Sequence, residues 1–311
     1  MGEIRLISSE IGISLSSSGF YLLYKENSFN MITFIKKHFI TFILVIILLS
    51  GLSLLLYPTL SNIWNSYHQS EAIASYKHHV ADMKQSKEEE MLSAAHAYNK
   101  TLATGVTPLL NLTKSEIETY NHILDVTGTG IMAYVEIPKL KTTMPIYHGT
   151  DEAILEIAIG HIPGTSFPVG GKGTHSVISG HRGLPSANLF TNLNHLKNGD
   201  RFMIHVLGKT LTYKVDQILT VKPEEISALK IDPNQDYCTL VTCTPYGVNT
   251  HRLLVRGHRV VTPKTIKNHK TESSNDFWQI MGSSVVLLLV VVGWGFHSRK
   301  VRKGRRSRRS T

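Results

Sequence analysis

The sequence predicts a mainly β fold, a small closed or nearly closed barrel with short helices, preceded by N-terminal helices and flanked by two transmembrane helices. Three features carry that expectation. From residue 131 onward, short β-branched runs (MAYVEIP, HSVISGH, RFMIHVL, TLTYKVDQILTV, DYCTLVTC and HRLLVRGHRVV) are separated by Gly, Pro and Asn, the texture of an all-β barrel. Between residue 62 and about 103, polar and apolar residues mix at helical spacing with no Pro or Gly, which reads as one or two helices. Residues 39–56 and 277–296 are unbroken uncharged stretches, each long enough to cross a hydrocarbon core about 30 Å thick as a helix rising about 1.5 Å per residue.

The elements follow in order. Residues 1–38 are expected to form a cytoplasmic segment, without clear periodicity over 1–30, and Met31, where a short basic stretch leads into the apolar run, marks an alternative translation start. The first span, 39–60, reads as an uncleaved anchor, because the small-x-small triplet Ala72-Ile73-Ala74 lies well beyond the apolar run. A helical region (61–130), a barrel (131–262), a linker (263–276), a second span (277–296) and a basic tail (297–311) complete the chain. Brief helices are expected near 152–157 and 187–195, and Gly208-Lys209 reads as a hairpin turn.

Charge sets the topology. Lys36 and Lys37 precede the first span, and the tail carries eight Lys and Arg without an acid, so both termini are expected in the cytoplasm. Residues 61–276, with 21 Lys and Arg against 20 Asp and Glu, then face outward at a net +1. The formal +10 of the 311-residue chain therefore belongs mainly to the tail, a membrane contact rather than a nucleic-acid site.

The chain has two cysteines, Cys238 and Cys243, in one extended run. Five strand residues span roughly 16 Å, too far for a disulfide, and odd spacing puts the two thiols on opposite faces. Cys238, among apolar neighbours, reads as a small buried hydrophobe, whereas Cys243 stands where strand gives way to the loop Thr244-Pro245-Tyr246-Gly247. A thiol attacks carbonyls as a thiolate and needs a base or cation beside it. Spacing alone does not choose among His161, His175, His181, His195, His205, His251 and His258; His181 stands out because glycines flank it in Ser179-Gly180-His181-Arg182-Gly183. No metal-ligand spacing of Cys and His is present, and no cofactor or metal is expected.

Thr239-Leu240-Val241-Thr242-Cys243, followed by Thr244-Pro245-Tyr246 and by NTHRLLVRG (249–257), resembles the signature of sortases. Together with SGHRGLPSANLFTNL, YVEIPKL, MPIYHGT and GHIPGTSFPVGG it is similar to class C, the pilin-polymerising cysteine transpeptidases, over roughly residues 90–262. The resemblance implies a sortase-type barrel at 131–262, with Cys243 as nucleophile, His181 as acid/base and Arg252 stabilising the oxyanion; Arg256 competes with Arg252 on chemistry alone. Thr242 is expected to line the peptide groove or to pack. The implied reaction cleaves a Leu-Pro-x-Thr-Gly-like signal after Thr and passes the acyl group to a lysine of another pilin, at the cell membrane. Many class C enzymes carry an Asp-Pro-aromatic lid motif; residues 104–118 have Thr107-Pro108-Leu109 instead, so a lid of that kind is expected to be absent or differently built. The rival readings are a housekeeping sortase that anchors surface proteins to a peptidoglycan precursor, a secreted cysteine protease, and a noncatalytic tethered domain.

Overall fold

A computed structural model describes residues 17–104 and 112–262. The predicted linker, second span and basic tail lie outside these residues, as does Thr107-Pro108-Leu109 of the lid-equivalent stretch. The chain divides after Leu56 into two compact units. In the first, helix α1 (Ser17–Ala81) carries residues 39–56, whose apolar side chains are exposed. Among the described residues this is one helix long and apolar enough to cross a membrane.

The second unit begins at Tyr57 and holds the rest of α1, α2 (Gln85–Thr104), α3 (Lys114–His122) and the barrel. The helical region thus forms two helices between 62 and 104, parted at 82–84 without Pro or Gly at the break. Tyr76 docks the end of α1: its buried hydroxyl donates to the Met132 carbonyl at 3.1 Å and accepts from the Leu207 amide at 2.9 Å. Asn99 of α2, also buried, pairs both ways with the backbone of Phe167. Thr113 and Glu116 cap α3 reciprocally, satisfying two donors that a helix start leaves open.

Eight strands close the barrel: β1 (Ile131–Ile137), β2 (Thr142–His148), β3 (Ile159–His161), β4 (Thr174–Ser179), β5 (Arg201–Val206), β6 (Lys209–Val221), β7 (Asp236–Thr244) and β8 (His251–Val260). Their order is β1-β2-β3-β4-β7-β8-β6-β5, with β5 returning to β1. Period-two alternation fills the interior with Phe202, Ile204 and Val206, Leu211, Tyr213 and Val215, Cys238 and Leu240, and Leu253 and Val255; each large apolar side chain so buried stabilises by about 1.5–3 kcal/mol.

Three local expectations are corrected. The hairpin turn is Leu207-Gly208, one residue earlier than expected, because Val206 pairs with Lys209. Leu207 accepts φ 43° there, with its side chain buried and its amide held by Tyr76. Within 187–195 only Leu193–His195 forms a helical turn; Phe190 N–H is spent on the His181 carbonyl and the Thr191 hydroxyl on Gly183 N–H. Strands β2 and β3 were not among the runs singled out as strands. Pro145 sits in β2, yet β3 pairs only with Ile146, Tyr147 and His148, so the missing N–H leaves no ladder bond open.

A buried imidazole makes this unit acid-sensitive. His161 is fully buried, its Nε2 donating to the Ser166 carbonyl at 2.8 Å and its Nδ1 2.9 Å from the Tyr120 hydroxyl. Burial pulls its pKa down to about 3, and His175 is lowered for the same reason. The unfolded chain, with a histidine pKa of about 6.5, takes up the proton first, so this contribution is complete above that pH and is lost as pH falls toward 3. Between pH 6.5 and 4 the expected loss from His161 is on the order of 3 kcal/mol. Urea midpoints measured across that range should fall more steeply for the wild type than for His161→Gln; equal slopes would refute the assignment.

Candidate active site

The site forms where three strands end together. Cys243, next to last in β7, lies directly opposite Arg252 of β8, and residues paired across two strands project from the same face. His181 follows β4 by two residues, and β4 runs parallel to β7 with Ser179 beside Val241. Two side-chain ties carry that register onward. The Thr242 hydroxyl donates to the Gly180 carbonyl at 2.7 Å, and Arg182 Nη1 donates to the Thr244 hydroxyl at 2.9 Å. His181 is therefore bracketed at the level of Cys243, although the two are far apart in sequence. A thiol, an imidazole and a guanidinium thus share one end of one sheet.

Alternation decides which face they share. Cys238 and Leu240 point into the barrel, whereas Val241 belongs to a separate apolar cluster with Val177 and Leu254, on the outer face. Cys243 has the parity of Val241 and faces outward with it. Ile162, Leu219, Val221, Ala228 and Leu229 pack around that cluster and bury it, so the outer face of β4 and β7 is a covered apolar layer below the thiol. Cys243 is partly exposed; Cys238 is fully buried, and burial pushes its thiol pKa well up. Both cysteines are free.

Most of the other basic candidates are engaged away from the thiol. Arg256 forms a two-pronged pair with Asp216, both bonds 3.1 Å, and lies over the Tyr237 ring. His175 bridges the Lys230 carbonyl and the Thr239 hydroxyl. His205 lies between Thr210 and Glu136 and stacks on Tyr134. His258 stands 3.7 Å from Asp216. His251 contacts Thr250, and His195 closes a short helical turn. Arg252 Nη1 donates to the carbonyls of Asn249 and His251, both at 3.2 Å, which folds its side chain back over the β7–β8 loop. Thr242 is buried and serves as a tie, the packing alternative.

Glycines make the close approach possible. A Cβ at Gly180 would meet Ile159 and Phe190 at 2.7 Å, and one at Gly183 would meet the Tyr246 ring at 2.9 Å. Sequence reasoning passed over Arg182, Thr244 and the outer apolar cluster. The signal for the last was in plain view: Val177-Ile178 and Leu240-Val241 in the two runs are apolar at both parities, as strands covered on both faces must be.

Residues 135–260 match the family described as Sortase domain. Sortase C1 from Streptococcus agalactiae is 47% identical, over 62% of this chain and 100% of its own, with a TM-score of 0.59. The chain belongs to the sortase family. Sortase C of Streptococcus pneumoniae is 44% identical over 62% of this chain and 97% of its own, TM-score 0.57, which places this sortase in the neighbourhood of class C. Among curated relatives, Sortase D of Bacillus subtilis is 28% identical and Sortase A of Streptococcus agalactiae 29% identical, over 40% and 44% of this chain. The matches span 62% and 54% of those two relatives.

Proposed function

We propose that this sortase is a membrane-anchored cysteine transpeptidase that joins pilin subunits through lysine isopeptide bonds. The observation that carries the reading is the register of Cys243 opposite Arg252, with His181 bracketed beside it. Cys243 Sγ attacks the Thr carbonyl of a Leu-Pro-x-Thr-Gly-like signal; the Thr–Gly amide breaks as the thioester forms. His181 gives a proton to the departing amine and later takes one from the incoming lysine amine, whose attack releases the thiol. The guanidinium of Arg252, always charged, stabilises the oxyanion of both tetrahedral intermediates. The partly buried Ile162, Leu219, Val221, Ala228 and Leu229 that cover the outer cluster offer an apolar surface suited to the Leu and Pro of such a signal. Pilin enters the reading through the solved relatives, of which the Streptococcus pneumoniae enzyme is described for pilin substrate specificity. Both termini lie in the cytoplasm in this reading, with a second span at 277–296.

The test incubates the detergent-solubilised full chain with a purified pilin bearing the signal. A denaturant-resistant ladder on a gel is the expected product. Cleavage without a ladder, with a free Thr carboxylate by mass spectrometry, would replace transpeptidation by hydrolysis. A product formed only when a peptidoglycan-precursor amine is added would make this the housekeeping type.

A further inference from the structure

We propose that Arg182 is a positioning residue for the acyl-transfer reaction, a latch that holds the His181 loop at the level of Cys243 through Thr244. The inference rests on the reading of the site given above. Arg182 directly follows His181, and Thr244 directly follows Cys243; the 2.9 Å bond from Nη1 to the Thr244 hydroxyl therefore joins the neighbours of the two reacting groups. On the other side, the Thr242–Gly180 bond joins their preceding neighbours. Backbone ladder bonds between β4 and β7 stop at Gly180 N–H on the Val241 carbonyl, so beyond that point these two side-chain bonds take over the pairing.

The chemistry of Arg182 sets it apart from a packing residue. Its Nε is buried and, among the described residues, takes no hydrogen-bond partner. A buried donor left unmade disfavours the fold, and an apolar side chain of similar length would pack there without that penalty. The guanidinium is thus kept for the bond it makes rather than for stability. The far end of the loop it anchors is held by Asn188 N–H on the Asn62 side chain and by Ala187, Leu189 and Phe190 in the core, whereas the His181 end is tied within the loop, through Phe190 N–H on the His181 carbonyl and Gly183 N–H on the Thr191 hydroxyl. Tyr246 of the β7–β8 loop, resting against Gly183, adds an apolar contact near the same level. Loss of the latch leaves each loop folded and frees one to shift relative to the other, and a shift of about 1 Å in a reacting pair costs up to about 100-fold in rate.

The experiment compares wild type, Arg182→Met, Thr244→Val, the double variant and Arg182→Lys in the full chain, using a fluorogenic signal peptide. Arg182→Met is expected to lower kcat about 10- to 100-fold, with KM within about twofold and the melting temperature unchanged or raised. Thr244→Val should do the same, the double variant should be no slower than the slower single one, and Arg182→Lys, which keeps a donor, should recover part of the loss. An unchanged kcat in Arg182→Met, multiplicative losses in the double variant, or a kcat loss that tracks a lowered melting temperature would each overturn the proposal. Cys243→Ala is run alongside: its retained activity would sink the reading of the site itself, whereas its inactivity beside a fully active Arg182→Met would sink the latch alone.

Discussion

Cys243→Ala is expected to abolish cleavage and ligation together, by about 10⁴-fold or more, as loss of a nucleophile does where the remaining groups act as a unit with it. The contrast with Cys238→Ala makes the result specific. Cys238 is wholly buried in the barrel interior beside Leu240 and Val255, so its truncation leaves a small cavity worth about 1 kcal/mol and turnover within about twofold. Alkylation divides the two thiols the same way: in the folded chain a small haloacetamide should modify Cys243, and Cys238 only after denaturant is added. Burial holds Cys238 protonated as well as shielded, and a protonated thiol is a poor nucleophile. Peptide mapping after timed labelling gives both rates at once. Modification of Cys238 first, or activity surviving in Cys243→Ala, would remove the thiol from the mechanism.

The second large effect is structural. Gly160, central in the three-residue strand β3, lies so close to the backbone of Gly149 that an added Cβ would stand 2.0 Å from the Gly149 carbonyl oxygen. No rotamer change relieves a clash with backbone, so Gly160→Ala must push β3 off β2, where it pairs Ile146, Tyr147 and His148. The expected cost is about 3 kcal/mol or more, at or beyond the upper range for overpacking, and a fall in melting temperature of roughly 6–12 °C for a unit of this size. Because β3 also pairs Gly160 with Ser179, two residues before His181, turnover should fall beyond what the unfolded fraction explains. A melting temperature within 2 °C of wild type would show that β3 is not held as described; calorimetry with a parallel activity assay separates the two effects.

Cys243, His181 and Arg252 stand out in the sequence because each sits at a change of texture, a strand run meeting Gly, Pro or Asn, and because the surrounding segments resemble one family; the fold brings the three to one end of one sheet, and their roles are those proposed above. Arg252 and Arg256 were not separable by chemistry; only the two-pronged pair with Asp216, which depends on the β6 bulge between Val215 and Gln217, shows why Arg256 is committed elsewhere. The β2 strand was masked by Pro145, whose meaning depends on how far β3 reaches. The Leu207-Gly208 turn was misplaced by one residue because a buried Leu at positive φ is an improbable choice that only Tyr76, 131 residues away, makes tenable. The strand order of the expected barrel was similarly beyond local patterns: β1 meeting β5 and β4 meeting β7 are pairings between remote segments, which periodicity does not encode.

That last pairing has a consequence for how the activity comes into being. Residues 181 and 243 are brought level by a parallel ladder between β4 and β7, with two intervening strands, β5 and β6, that must find their own places in the ring. Loop-closure entropy makes such remote pairings late events in folding. A nascent or partly assembled chain therefore carries the Cys243 thiol without the His181 imidazole at its level. Completion of the barrel is what brings the Cys243 thiol level with His181, so in the proposed reading reactivity arrives with the finished fold.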